Sequence, residues 1–166
     1  IKVASGDLTY SQLIDAAVAT GKPVVLSTGL ASIEEIKVAA QRIPKSQLIL
    51  LHCVSVYPTP AELVNLTAIT TLQKEFPDTP IGFSDHSIGA EACVAAVALG
   101  AKVIEKHFTL DRSQTPGDHV LSLEPDQMRT MVTQIKSVTK MLKSGKGLIS
   151  PVEQDMRQQM QRGVYY

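Results

Sequence analysis

The sequence predicts an α/β fold with about five parallel strands covered by helices, and three observations predict it. Short runs rich in Val, Ile and Leu alternate with longer amphipathic stretches, the order that produces right-handed βαβ units. The short runs are almost continuously apolar, as strands buried on both faces should be. Each run also ends in a polar cluster, at the carboxyl end where parallel α/β folds bind ligands. A (β/α)8 TIM barrel and a doubly wound sheet both satisfy this pattern, although five strands are too few to close the barrel.

Taken in order, the first strand is expected over residues 1–4 and the first helix over 10–20. Thr9 and Gln12 stand at capping-box spacing before that helix, and Gly21 stops it. A strand over 23–27 leads to a helix that opens with Ser32 and Glu35 in the same spacing and runs to about Arg42. The third strand covers 48–54. Leu63, Leu66, Ile69 and Leu72 then fall at helical spacing, so 61–76 reads as one helix. A strand over 80–84 precedes a small-residue helix over 89–99, which Gly100 ends, and the last strand covers 102–107. Pro125 suits a first helical turn, and the apolar spacing from Met128 to Leu142 carries that helix to Gly145. The stretch 151–162 has little apolar face and reads as a linker or an exposed terminal helix. Residues 1–147 therefore form one partial-barrel unit, and 148–166 form a linker or terminal helix. The chain opens on Ile1 directly into a strand, which reads as a piece of something longer.

Composition narrows the function classes. Hydrophobic residues make up 44% and charged residues 19%, a soluble globular balance. Sixteen basic residues offset sixteen acidic ones, so no overall field recruits nucleic acid or an anionic membrane. Any anion site must be local. Cys53 and Cys93 lie in apolar runs without metal or redox spacing and read as small buried residues of a reducing compartment. The longest apolar run, 92–99, is far short of the roughly 20 residues a membrane helix needs, and no signal-peptide pattern opens the chain. The cytoplasm is the expected location.

Strand alternation sorts the polar residues onto faces. Val103, Glu105 and His107 point one way, and Ile104, Lys106 and Phe108 the other; Ser84 and His86 share a face with Asp85 opposite. With His86 and His107 facing the interior, two imidazoles from neighbouring strand ends converge above Glu105. Two histidines fall short of a zinc site. With open positions they suit an octahedral ion such as Mn²⁺, which accepts water and substrate oxygens. Lys2, Ser5, Ser27, Thr28 and Ser84 bring a cation and hydroxyls to the same rim. Gly6 and Gly29 allow close backbone approach to an anion, a phosphate site without a Walker-type loop. His52 reads as structural, and His119 is open to either reading.

Six ordered blocks carry a family resemblance: KVASGD at 2–7, LSTG at 26–29, LHCVSVYP at 51–58, GFSDHSIG at 82–89, IEKHFTLD at 104–111 and GDHVLSLEP at 117–125. Together they closely resemble the N-acetylneuraminate (sialic acid) synthase family, including its legionaminic and pseudaminic acid relatives. That resemblance implies a (β/α)8 barrel of which this chain supplies strands four to eight, followed in the family by an antifreeze-like domain and typically a domain-swapped homodimer. It implies that His86 and His107 bind the divalent metal, Mn²⁺ with Mg²⁺ or Co²⁺ as substitutes. It places Lys2, Ser5, Ser27 and Ser84 on phosphoenolpyruvate and Tyr57 in the same pocket. Glu105 and Asp118 match the positions that contact the N-acylated sugar, orienting its hydroxyls or moving a proton. Ser55 stands where many members carry asparagine. The family's first-strand carboxylate, second-strand lysine and antifreeze-domain arginine have no counterpart in this chain. The pattern from Asp118 to Pro125 looks more like sialic or legionaminic acid synthases than pseudaminic ones. Two other readings compete. One is a non-catalytic remnant that folds by association with itself or a complementary chain; the other is an aldolase with Lys106 as a Schiff base, which parity points away from the pocket.

Overall fold

The computed structural model describes residues 1–143 and 149–163. Five strands, β1 (Lys2–Val3), β2 (Val24–Ser27), β3 (Leu48–Cys53), β4 (Ile81–Asp85) and β5 (Ile104–Lys106), pair in parallel in their sequence order. Helices α1 (Ser11–Ala19), α2 (Ile33–Gln41), α3 (Ala68–Glu75) and α4 (Glu91–Ala98) join successive strands, and α5 (Pro125–Lys143) follows β5. The sheet curls: Lys2 Nζ of β1 lies 3.5 Å from Glu105 Oε1 of β5, although these are the two outermost strands. A flat sheet would hold them about four strand spacings, near 19 Å, apart. The architecture is a half-barrel with helices on its convex side.

The two faces have different jobs. Val24 and Leu26 of β2, Leu48 and Leu50 of β3, and Ile81 and Phe83 of β4 join Ile14, Ile36, Ile69, Leu72 and Ala96 of the helices in one buried core. Burying each of the larger side chains contributes about 1.5–3 kcal/mol, so the convex side, more than ladders of two to six residues, holds the sheet. The residues between them, Ser27, Cys53, Ser84 and Glu105, are left to the concave face.

Local chemistry sets the boundaries. At α2, the Ser32 hydroxyl accepts from the Glu35 N–H while the Glu35 carboxylate accepts from Ser32 N at 2.7 Å, the reciprocal cap the spacing predicts. The expected Thr9 cap does not form: Tyr10 occupies the N-cap of α1 without a side-chain bond, because a 3-10 turn over Ser5–Asp7 shifts the start by one residue. The single helix expected over 61–76 is two pieces, a 3-10 turn at Ala61–Leu63 and then α3. Asn65, at φ +47, reverses the chain between them, so Leu63 falls outside the helical stripe and is half exposed. Residues 151–160 form α6 (Pro151–Met160), opened by a Ser150–Glu153 capping box with proline in the first turn, and its described side chains are exposed. The stop expected at Gly145 and the boundary expected at 147 lie outside the described residues. Among the described residues no helix is long and apolar enough to cross a membrane.

Two predictions follow from the packing of β3 and β4. A β-carbon on Gly82 would overlap the Val103 carbonyl oxygen and lie 2.5 Å from Leu51 Cδ2, inside the closest approach of the β4 and β5 backbones. Gly82→Ala is expected to destabilise the fold by about 1–3 kcal/mol, as overpacking does, read as a lower midpoint in urea. His52 is buried on the convex side, stacked on Phe83 at 5.7 Å, and donates Nε2–H to the Val64 carbonyl at 2.9 Å. Burial, against the raising effect of the hydrogen bonds from Val64 and Asn65, holds its pKa below the ordinary value. The unfolded chain therefore binds this proton first. The stability His52 contributes is whole above about pH 6.5 and falls as pH drops below it. Urea midpoints measured between pH 7.5 and 5 should show this slope, and His52→Gln should flatten it.

Candidate active site

The concave face gathers the polar residues from all five strand ends. Ser84 Oγ donates to Glu105 Oε1 at 2.7 Å, and the Lys2 ammonium stands 3.5 Å from the same oxygen. One carboxylate thus ties β1, β4 and β5 together. Ser5 lies in the turn after β1, where its hydroxyl accepts from the Gly29 N–H at 3.0 Å. A β-carbon on Gly29 would come within 2.8 Å of Ser5 Oγ and 2.5 Å of Ser55 Oγ, so glycine is what lets these loops meet. Ser27 is 1% exposed and its hydroxyl has no hydrogen-bond partner among the described residues. Such an orphaned group is costly to keep dry and marks a place where a ligand oxygen fits.

Above this layer stand the imidazoles. The rings of His86 and His107 lie 5.2 Å apart, and Tyr57 packs on both, at 4.0 Å from His86 and 6.1 Å from His107. His86 Nδ1 sits 2.7 Å from the Val54 carbonyl, which can only accept; Nδ1 therefore carries the proton and Nε2 keeps its lone pair. The Val54–Thr59 loop is latched a second time, by the Thr59 N–H on the His86 carbonyl at 2.9 Å. Burial disfavours the charged form of His86, but the contacts with Cys53 and the Val54 carbonyl outweigh it and set its pKa above the ordinary value. Burial and then the neighbouring His86 push His107 the other way. Asp118, half exposed at the start of a 3-10 turn over Asp118–Leu121, brings Oδ2 to 3.9 Å from His107 Nδ1. Burial, followed by nearby negative charge, raises the Tyr57 phenol.

All nine residues singled out in the sequence thus lie on this side, eight on the strands or in the loops after them and Asp118 in the turn over Asp118–Leu121. Contacts link His86, His107, Tyr57 and Asp118 in one cluster, and Lys2, Ser84 and Glu105 in another. Ser5 and Ser27 hold separate positions along the same face. Cys53 was expected to be merely buried, yet its sulfur lies 3.8 Å from His86 Nδ1. Its register partner is Ser84, so alternation alone assigns it to the concave face. Burial, outweighed by the hydrogen bonds from His86 and Ser5, leaves its thiol below the ordinary value. Cys93, by contrast, lies buried behind β4, so the expectation of two unpaired buried thiols holds. His119 bonds through Nδ1 to Thr109 Oγ1 at 2.7 Å, a structural contact within its own loop.

The side chains gathered here do not complete a metal cage by themselves. Among the described residues no cluster of three or more His, Cys, Asp or Glu side chains is placed to hold a metal, so a closed zinc cage is absent there. Two imidazoles, one with its tautomer fixed by a carbonyl, suit an ion that takes its other ligands from water and substrate oxygens. The face itself is open. A cavity of about 710 Å³ lies elsewhere, between the 58–66 loop and α4, lined by Pro58, Val64, Ile88 and Ala92. It holds none of the nine residues.

Comparison with known proteins agrees with this layout. The model of the NeuB family matches residues 1–147. An uncharacterized protein of Methanocaldococcus jannaschii is 48% identical over 98% of this chain and 49% of its own length. The human N-acetylneuraminate-9-phosphate synthase is 38% identical over 98% of this chain and 46% of its own. Among solved structures, the N-acetylneuraminic acid (sialic acid) synthetase of Leptospira borgpetersenii, crystallised with citrate, superposes with a TM-score of 0.87 at 41% identity, covering 98% of this chain and 58% of that one. The chain spans about half the length of the relatives it matches. With the family model covering strands, helices and the whole concave face, the chain belongs to the NeuB family.

Proposed function

We propose that this chain is the metal- and phosphoenolpyruvate-holding part of a sialic-acid-synthase-type enzyme, a transferase that condenses phosphoenolpyruvate with an N-acylated hexosamine resembling N-acetylmannosamine. The observation that carries this reading is the curl of the concave face. Lys2 and Glu105 meet across the sheet beneath a pair of imidazoles, which gathers a cation, a carboxylate and a metal-type donor pair at one rim. The similarity to the human and Leptospira synthases supports the substrate class.

In this reading Lys2 and the hydroxyls of Ser5, Ser27 and Ser84 hold the phosphate group and stabilise the charge that grows on it as it leaves. The orphaned Ser27 hydroxyl gains its missing partner there. Tyr57 walls the pocket beside the imidazoles. His86 and His107 hold the divalent ion, Mn²⁺ by expectation, which when bound supplies Lewis acidity toward the aldehyde oxygen of the open-chain sugar. Glu105 and Asp118 orient sugar hydroxyls or carry a proton. The reaction joins C3 of phosphoenolpyruvate to the aldehyde carbon; water adds at C2 and phosphate departs with cleavage of the C–O bond. The complete enzyme would act as a cytoplasmic homodimer. A second reading, a non-catalytic piece that associates with itself or a complementary chain, rests on β1 and β5, each of which pairs along one side only.

Two measurements test the first reading. Thermal unfolding of the chain with Mn²⁺ or phosphoenolpyruvate, each at about 100 times its dissociation constant, should show a gain near 2.7 kcal/mol per ligand, a rise of roughly 5–10 °C. His86→Ala should abolish the rise produced by Mn²⁺; a wild-type chain blind to both ligands would refute the reading. Ser27→Ala should act in opposite directions with and without ligand. Removing a buried hydroxyl that has no partner should leave the unliganded chain as stable or about 1 kcal/mol more so, while the shift produced by phosphoenolpyruvate shrinks.

A further inference from the structure

Directly behind the two imidazoles, on the convex side of the sheet, lies a buried ion pair that the reaction does not use. Asp85 and Lys106 are register partners of β4 and β5. Their side chains are each 1% exposed, with Lys106 Nζ 2.8 Å from Asp85 Oδ2. The residues that follow the two strands are His86 and His107, turned to the other face. This ion pair is thus the last cross-strand tie of the ladder before the imidazoles.

We propose that Asp85 and Lys106 are a positioning pair for the imidazoles, setting the separation and tautomer with which His86 and His107 meet a divalent ion; the inference rests on the metal-binding reading of those two residues. The pair does more than neutralise itself. Asp85 Oδ1 accepts the Ser87 N–H at 2.8 Å, and the Lys106 ammonium donates to the Ser87 carbonyl. Cys93 on α4 donates its thiol to Asp85 Oδ2 at 3.3 Å. Both backbone groups of Ser87, the residue after His86, are therefore held by the side chains of the residues just before His86 and His107. His86 is pinned on both flanks, and its ring stays where Nδ1–H can donate to the Val54 carbonyl. On β5, His107 lies just past the last strand residue, its carbonyl held by Leu123 N at 2.9 Å.

Stability does not account for these charges. Well-packed apolar side chains of similar volume are often as stable as a buried pair or more so. What they cannot do is hold Ser87 by its N–H and its carbonyl. That contribution is geometric, and partners one layer behind metal-binding histidines commonly govern metal affinity by ten- to a hundredfold.

The test uses the whole chain with Asp85→Leu and Lys106→Met combined, so that neither charge is left buried alone. Three quantities are read: the unfolding temperature without metal, the affinity for Co²⁺ followed by its visible absorption bands, and the His86 tautomer by ¹⁵N-resolved NMR. The expected result is a cooperative unfolding transition, Co²⁺ affinity reduced at least tenfold, and loss of the single Nδ1–H tautomer. A folded double variant with wild-type affinity and tautomer overturns the proposal. Should that variant not fold, Asp85→Asn with Lys106→Met removes the Lys106 tie to Ser87 while keeping an acceptor for its N–H, and it is judged by the same two readouts. His86→Ala separates the two ideas. If wild type binds Co²⁺ no better than His86→Ala, the metal-binding reading fails, and the His86 tautomer alone still decides whether the pair positions the ring.

Discussion

Everything in this half-barrel depends on the period-two alternation of side chains along parallel strands in fixed register. A one-residue slip between β4 and β5 would exchange the two faces of β5, sending Lys106 to the pocket and His107 into the core. The register is secured from the convex side. Phe83 and Ile104 pack among the helices, and Gly82 leaves room for Val103 to approach β4. Packing behind the sheet therefore dictates chemistry in front of it, and the short strands need no long ladders to hold the site.

The concave face assembles two layers with different physics. The lower layer is a charge cluster in which Glu105 serves both Lys2 and Ser84, with the buried Ser27 hydroxyl, which has no partner among the described residues, on the same face. The upper layer is aromatic, with Tyr57 against both imidazoles and Asp118 approaching from the loop beyond β5. A charged layer and an aromatic layer are thus stacked rather than mixed. Among the relatives, the human and Leptospira proteins are by name synthases of N-acetylneuraminate or its 9-phosphate.

Much of this was legible in the sequence because it is local. Strand positions, the Ser32–Glu35 cap and the face assignments of Glu105, Lys106 and His107 follow from spacing alone, and the structure agrees with each. The misreadings are local choices overruled by neighbouring turns: Thr9 lost its cap to the turn over Ser5–Asp7, and the helix expected from Ala61 broke at Asn65. What sequence could not supply is contact between distant strands. Nothing in the run around Cys53 announces that its sulfur meets His86, and nothing near Lys106 announces Asp85 as its partner, although parity did place Lys106 away from the pocket.

The meeting of Lys2 with Glu105 has a consequence for how the site comes into being. Every strand pairing joins sequence neighbours and closes a modest loop, whereas this contact joins the first strand to the last. It cannot exist until all four ladders are in place, and the loop entropy it must overcome has by then been met by the pairings beneath it. The pocket is therefore a property of the finished arc rather than of any βαβ unit within it. Its Lys2–Glu105 contact is an internal gauge of whether the chain has folded to its end.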